Sequence, residues 1–260
     1  TFVFLQHGVT YMKCHGPNSP FLAGREMEPD YIVVNSEKEK EAVHRMMGID
    51  NSRILKTGMA IFSKLEYKHL NQDSDDIALI MLTWKPYEDN MEDFTKSTYY
   101  QNTLAIYNML RKFLPAEKIR VVIHPKTGAH LEKTELAPSI WKKPISEVLS
   151  IAKLLITDYS SVCYNSFYQG GGVVFFQEDL EFYEKENGRL IPKDDEYIGK
   201  RAFSLPELDA ILEEGCRDGK IDLDSFRTEE FERRYQLINE FSDGKNMERL
   251  CEKLKELGLI

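Results

Sequence analysis

Short apolar runs alternate along the chain with stretches of helical period, and the alternation predicts strands at residues 2–5, 31–34, 77–82, 119–123, 154–156 and 173–176. Between them the spacing predicts a helix over 37–47. It starts after Asn35-Ser36, whose side chains can cap exposed N–H groups, and stops at Gly48, which tolerates the left-handed turn that ends helices. A longer helix over 95–113 places Leu104, Tyr107 or Asn108, and Arg111 on neighbouring turns and ends before Pro115. Strands alternating with helices are the sequence form of a parallel α/β sheet with helices on both faces. After Pro206 the pattern turns helical almost to the end, over 207–214, 229–241 and 246–257.

The polar stretch 67–76 has no period and lies between two α/β blocks, so it reads as a linker. The expected organisation is therefore a Rossmann-like block over 1–66, a linker over 67–76, a larger Rossmann-like domain over 77–224, and closing helices over 225–260. The first block has the size of only the C-terminal part of such a domain. The chain does not begin with Met, and the sequence alone leaves open whether residues precede Thr1.

At 260 residues and 42% apolar content the chain can bury a full core. No apolar run approaches the roughly 20 residues of a membrane-spanning helix, and the chain opens on a strand, not on a charged and then apolar leader. Cys14, Cys163, Cys216 and Cys251 are widely spaced, which points to reduced thiols and a cytoplasmic setting. A net charge of -9 argues against non-specific grip on nucleic acid.

The candidate chemistry sits at predicted strand ends. Leu154-Leu155-Ile156 runs into Thr157-Asp158-Tyr159-Ser160-Ser161 and then a helix start. Small hydroxyl residues at such a junction offer side-chain donors, unpaired backbone N–H groups and the positive end of a helix dipole, which suit a diphosphate. Leu5-Gln6-His7-Gly8 and His124-Pro125 add imidazoles at two other strand ends, groups able to move protons near neutral pH. Each has a bland alternative: a turn histidine, a helix cap, a strand terminator, and for Trp84 core packing. Gly170-Gly171-Gly172 precedes a strand and reads as a tight turn, not a phosphate loop. Cys14-His15 lacks further ligands at metal-like spacing.

Taken in order, Gln6-His7-Gly8, Thr83-Trp84-Lys85, His124-Pro125 and Thr157-Asp158-Tyr159-Ser160-Ser161 resemble the motifs of the CDP-glycerol glycerophosphotransferase family, the teichoic acid primases and polymerases and related capsule polymerases. The resemblance covers residues 1–205. It implies a GT-B fold of paired Rossmann-like domains, the C-terminal one binding a CDP-alditol donor. It also implies transfer of glycerol phosphate or ribitol phosphate to a hydroxyl with release of CMP, by a cytoplasmic enzyme peripheral to the membrane. His7 then stands where the family places a general base on the acceptor hydroxyl, with Gly8 and Thr10 beside it on the substrate side. His124, next to Pro125, would donate to a donor phosphate oxygen; Ser160 and Ser161, with Thr157 and Asp158, would hold the diphosphate; Thr83, Trp84 and Lys85 would contact the donor. Asn165 falls where the family often has an aspartate at the alditol end. Two departures stand out. Leu82-Thr83-Trp84-Lys85 replaces Pro-Thr-Trp-Arg, keeping a cation without the guanidinium fork, and Gly58-Met59-Ala60-Ile61 replaces Gly-x-Pro-Arg.

Attack of a hydroxyl on phosphorus spreads negative charge over non-bridging oxygens, so positioning and aimed donors carry the catalysis. No dense acidic cluster marks a two-metal site, so no cofactor is obligatory and Mg²⁺ would enter only with the nucleotide. The partners implied are a CDP-alditol, a lipid-linked or polymer acceptor and a peripheral membrane contact, with no nucleic acid. Two alternatives stay open: a GT-B glycosyltransferase using a nucleotide sugar, and an inactive donor-binding half of a larger enzyme.

Overall fold

A computed structural model describes residues 1–13, 16, 18–70, 76–88, 90–124 and 128–260. In chain order its main elements are β1 (Val3–Phe4), β2 (Tyr31–Val34), α1 (Glu37–Met47), β3 (Ile54–Lys56), β4 (Ile77–Met81), α2 (Thr98–Leu110), β5 (Ile119–Val121), α3 (Gly128–Leu131) and α4 (Ile145–Leu149). They continue with β6 (Ala152–Thr157), α5 (Val162–Tyr168), β7 (Gly172–Phe176), α6 (Leu180–Asn187), β8 (Lys200–Ala202), α7 (Leu205–Glu214), α8 (Glu229–Ile238) and α9 (Asn246–Glu256).

The chain divides into two compact units. The first comprises Thr1–His69, Leu180–Ile198 and Glu229–Ile260, and the second Leu70–Asp179 and Gly199–Thr228. The sequence pattern places 180–198 within the second domain and sets 225–260 apart. The structure instead groups α6, α8 and α9 with the first unit, where α8 packs against α1 and α9 buries apolar residues. Leu250 of α9, for instance, is buried with Val33 and Leu55. Within the expected linker, residues 71–75 lie outside the described set, and the units divide between His69 and Leu70.

In the first unit β1, β2 and β3 form a parallel sheet in that order. Helix α1 begins where the pattern places it: the Ser36 hydroxyl accepts the Glu39 N–H at 3.0 Å. It ends at Gly48, which is left-handed at φ 72° and donates to the His44 carbonyl at 3.1 Å.

In the second unit five parallel strands run in the order β5-β4-β6-β7-β8. Ile80, Leu154, Ile156 and Val174 are fully buried in its core with Ile106 of α2 and Leu208 of α7. Each such side chain contributes about 1.5–3 kcal/mol as an upper figure. Helix α2 is shorter than its pattern because Phe94–Lys96 forms a separate 3-10 turn and Ser97 then caps α2 itself. The triple glycine makes the α5-to-β7 turn as expected, and its reason is steric. A Cβ on Gly172 would sit 2.8 Å from the Phe226 carbonyl carbon.

Candidate functional site

The second unit's strand order sets where a ligand can sit. The chain lays down β4, moves outward to β5, then crosses back over β4 to add β6, β7 and β8 on its other side. In open parallel sheets the crevice beyond the carboxyl ends, where the direction of winding reverses, is left uncovered by connections and takes the ligand. The sequence motifs leave those three strand ends. Thr83-Trp84-Lys85 follows β4, His124 follows β5, and Asp158 to Ser161 follows β6. Met81 pairs with Thr157 in register, so the β4 and β6 loops start side by side.

A buried carboxylate ties those two loops together. Both oxygens of Asp158 lie 2.9 Å from the Thr83 N–H, and Oδ1 also accepts the Thr83 hydroxyl at 2.6 Å. Asp158 is 4% exposed, its Oδ1 takes the Tyr159 N–H, and its carbonyl accepts Gln177 Nε2 at 3.1 Å. Asp158, expected as a substrate contact, thus accepts N–H and O–H donors of the protein with its carboxylate. Thr157, expected beside it, is fully buried with its hydroxyl donating to the Met81 carbonyl at 2.6 Å. The Thr83 hydroxyl donates its hydrogen bond to Asp158, so Thr83 acts in shaping the loop.

The next residue presents a ring. Trp84 stacks on His124 with centroids 4.7 Å apart and planes 9° from parallel. His124 is exposed and Trp84 half-buried, so Trp84 is neither simple core nor an open platform, but the backing of the histidine. Pro125 lies outside the described residues, as do Cys14 and His15.

Lys85 is not the free phosphate-binding cation its motif suggests. Its Nζ lies 2.7 Å from Asp179 Oδ2 and 3.2 Å from the Thr98 hydroxyl, with the side chain 10% exposed. Burial alone would lower its pKa, but the hydrogen bond and charge of Asp179 hold the ammonium above its ordinary value. Tyr159 donates its hydroxyl to the other Asp179 oxygen at 2.7 Å. Asp179 and Gln177 are supporting residues that no motif marks, and Tyr159, inside the motif loop after β6, supports it through its hydroxyl.

Ser160 and Ser161, expected to hold the diphosphate, lie at the start of α5. Both are half-buried, Ser160 Oγ makes only a long 3.4 Å contact with the Val162 N–H, and Ser161 precedes α5 without capping it. Asn165 lies one helical turn beyond Ser161, on the same face and half-buried. These side chains can meet an anion with hydroxyl and amide donors.

His7, Gly8 and Thr10 belong to the first unit, after β1. His7 is exposed and packs edge-on against Phe4, with ring centroids 5.7 Å apart. Its neighbour Gln6 is left-handed at φ 65°, a conformation that costs a side-chain-bearing residue on the order of 1–3 kcal/mol. The Gln6 side chain offsets that cost by donating to the Val33 carbonyl at 2.8 Å and accepting the Thr10 hydroxyl. Thr10, expected on the substrate side, is part of the loop's frame, since its N–H also donates to Glu39 Oε1 at 2.5 Å. Burial pushes the Glu39 carboxyl up to about 7, against the pull of N–H donors from Asn35 and Thr10. Glu39 was legible as an anomaly: it shares the buried face of α1 with Ala42, Val43 and Met47, where an acid is out of place.

Among the described residues no three His, Cys, Asp or Glu side chains gather as a metal-ligand set would, and no helix is long and apolar enough to cross a membrane. Among the described residues Cys163, Cys216 and Cys251 form no disulfide.

The wall teichoic acid polymerase TagF shares the fold, with a TM-score of 0.68 at 16% identity over 98% of this chain and 67% of that one. A TagF variant soaked with CDPG aligns with a TM-score of 0.64 at 19% identity, covering 87% of this chain and 57% of its own. The α/β architecture is thus of the GT-B type. The teichoic acid glycerol-phosphate primase of Bacillus subtilis (strain 168) is 20% identical over 235 residues, 88% of this chain. The chain spans 58% of that relative's length. The family model for CDP-glycerol:poly(glycerophosphate) glycerophosphotransferases matches residues 2–256, and the chain belongs to that family.

Proposed function

We propose that this chain carries the donor-handling and proton-transfer groups of a transferase that moves an alditol phosphate from a CDP-alditol to an acceptor hydroxyl. The product serves a teichoic acid or capsule-type polymer. The observation that carries the reading is the arrival of Trp84-backed His124, Ser160 and Ser161 at the carboxyl ends of three adjacent parallel strands, at the point where the winding reverses. Family membership supports the choice of donor.

In this reading Ser160, Ser161 and the exposed His124 donate to the diphosphate oxygens, and Asn165 meets the alditol end. The acceptor oxygen bonds to the phosphorus that carries the alditol, and the bond from that phosphorus to the CMP oxygen breaks. His7 takes the hydroxyl proton and CMP leaves as the anion. General-base help of this kind is worth about 10²- to 10⁴-fold. No metal is obligatory in the scheme, and Mg²⁺ enters with the nucleotide. A lipid-linked or polymer acceptor and a peripheral place on the cytoplasmic face of the membrane accompany the reading, on the strength of family membership.

The test is a screen of the full-length protein with CDP-glycerol, CDP-ribitol and common nucleotide sugars, following binding and nucleotide release. CMP release from a CDP-alditol supports the reading. Release of a nucleoside diphosphate from a nucleotide sugar would replace it with glycosyl transfer, and binding without turnover by the complete protein would replace it with a donor-binding role.

A further inference from the structure

We propose that Glu39 is the positioning residue of the His7 loop: its carboxylate ties the segment 6–10, after β1, to Asn35, at the end of β2, and so sets where the His7 ring is presented. The catalytic consequence rests on His7 acting as the base.

Every contact of the carboxylate is with a donor. Oε1 accepts the Thr10 N–H at 2.5 Å and the Gln6 amide at 3.5 Å, and Oε2 accepts the Asn35 N–H at 2.6 Å and its side-chain amide at 2.8 Å. Glu39 itself is fully buried. Only an acceptor with lone pairs on both oxygens satisfies donors on both sides at once. An amide in its place would turn an NH₂ group toward either Thr10 or Asn35 and leave a buried N–H unpaired. Asn35 passes the constraint on, because its Oδ1 accepts the Met59 N–H at 2.8 Å and its carbonyl the Glu240 N–H at 3.1 Å. The loop is thus braced against β2, the β3 connection and the C-terminal segment of the same unit. Gln6 and Thr10, also held by this network, flank His7-Gly8-Val9, and His7 itself has only Phe4 beside its ring among the contacts described. The ring's place therefore follows the backbone, and the backbone follows Glu39.

The test uses the full-length protein, with CDP-glycerol as the donor probe, in the parent and in Glu39→Gln, Glu39→Asp and His7→Ala. Amide hydrogen exchange is read first because it does not depend on activity. The Thr10 and Asn35 amides should be protected in the parent and exchange at least about tenfold faster in Glu39→Gln. In turnover, Glu39→Gln should lose about 10²-fold in kcat with KM for CDP-glycerol within about twofold. Glu39→Asp should recover part of the loss, and Glu39→Gln should have no further effect in the His7→Ala background. An unprotected Thr10 amide in the parent, or one unchanged in Glu39→Gln, would overturn the clamp whatever the activity. Faster exchange with parental kcat, while His7→Ala is inactive, would overturn the positioning role. A fully active His7→Ala protein would instead overturn the reading of His7 as base, and the exchange data would still decide the clamp. Should Glu39→Gln fail to fold, parental Thr10 protection and the Glu39→Asp split between kcat and KM decide.

Discussion

Asp158 and Thr83 share three close contacts, two to the Thr83 N–H and one to its hydroxyl, and through them the loops after β4 and β6 become one body. Removing the carboxylate leaves a half-buried N–H and hydroxyl without their partner, which costs about 1–3 kcal/mol. Asp158→Ala should lower the unfolding free energy by that amount and weaken CDP-glycerol binding, although Asp158 need not touch the donor. Calorimetric titration alongside thermal melting checks both, and unchanged affinity in a destabilised protein would confine Asp158 to the fold.

The Trp84–His124 stack makes a separable claim. An aromatic pair of this geometry contributes about 0.5–1.5 kcal/mol beyond area burial, enough to hold an exposed imidazole in one orientation. Trp84→Ala should impair turnover to much the same extent as His124→Ala, and the double variant should be little worse than either single one. Additive losses in kcat/KM would mean that Trp84 acts on the donor independently, for instance against the cytosine ring.

Ser160 and Ser161 carry the donor-binding expectation. Ser160→Ala with Ser161→Ala removes hydroxyl donors that the fold itself barely uses, so melting should stay within about 0.5 kcal/mol of the parent. Donor affinity should fall about tenfold or more, since hydrogen bonds to charged groups contribute roughly 1.5–3 kcal/mol. His7→Ala should do the reverse, abolishing turnover while CDP-glycerol binding stays nearly unchanged. Parental turnover in the His7 variant would remove it as base.

These contrasts also mark what the chain discloses before it folds. The long central strands, α1 with both caps, and the motif loops are written in local pattern, because burial on both faces demands continuous apolar runs and caps demand particular side chains. Strands β3 and β8 are three residues each at sheet edges, and Ile-Leu-Lys and Lys-Arg-Ala carry no period to find them by. In the site, residue types foretold chemistry but not commitment. Lys85, Thr157 and Asp158 have the right groups for a phosphate site, yet spend them on Asp179, Met81 and Thr83, partners distant in sequence. Glu39 was the exception that pattern could have flagged, as an acid on the apolar stripe of α1.

The same acid gives the protein a pH signature. Its carboxyl has an ordinary value of 4.5 in the unfolded chain and about 7 when buried, so between those values the folded state holds a proton that the unfolded state has lost. Stability from this group is complete below about 4.5 and is lost as pH rises through about 7, by about 3 kcal/mol in all. Glu232, also pushed up to about 7 by burial, adds a slope of the same sign that the parent and a Glu39 variant have in common. Glu39→Gln cannot titrate, so its unfolding free energy should fall less steeply than the parent's between pH 4.5 and 7.5. Denaturant melts across that range read the difference directly. Parallel curves would mean that the N–H donors of Asn35 and Thr10 outweigh burial and keep the carboxylate ionised throughout.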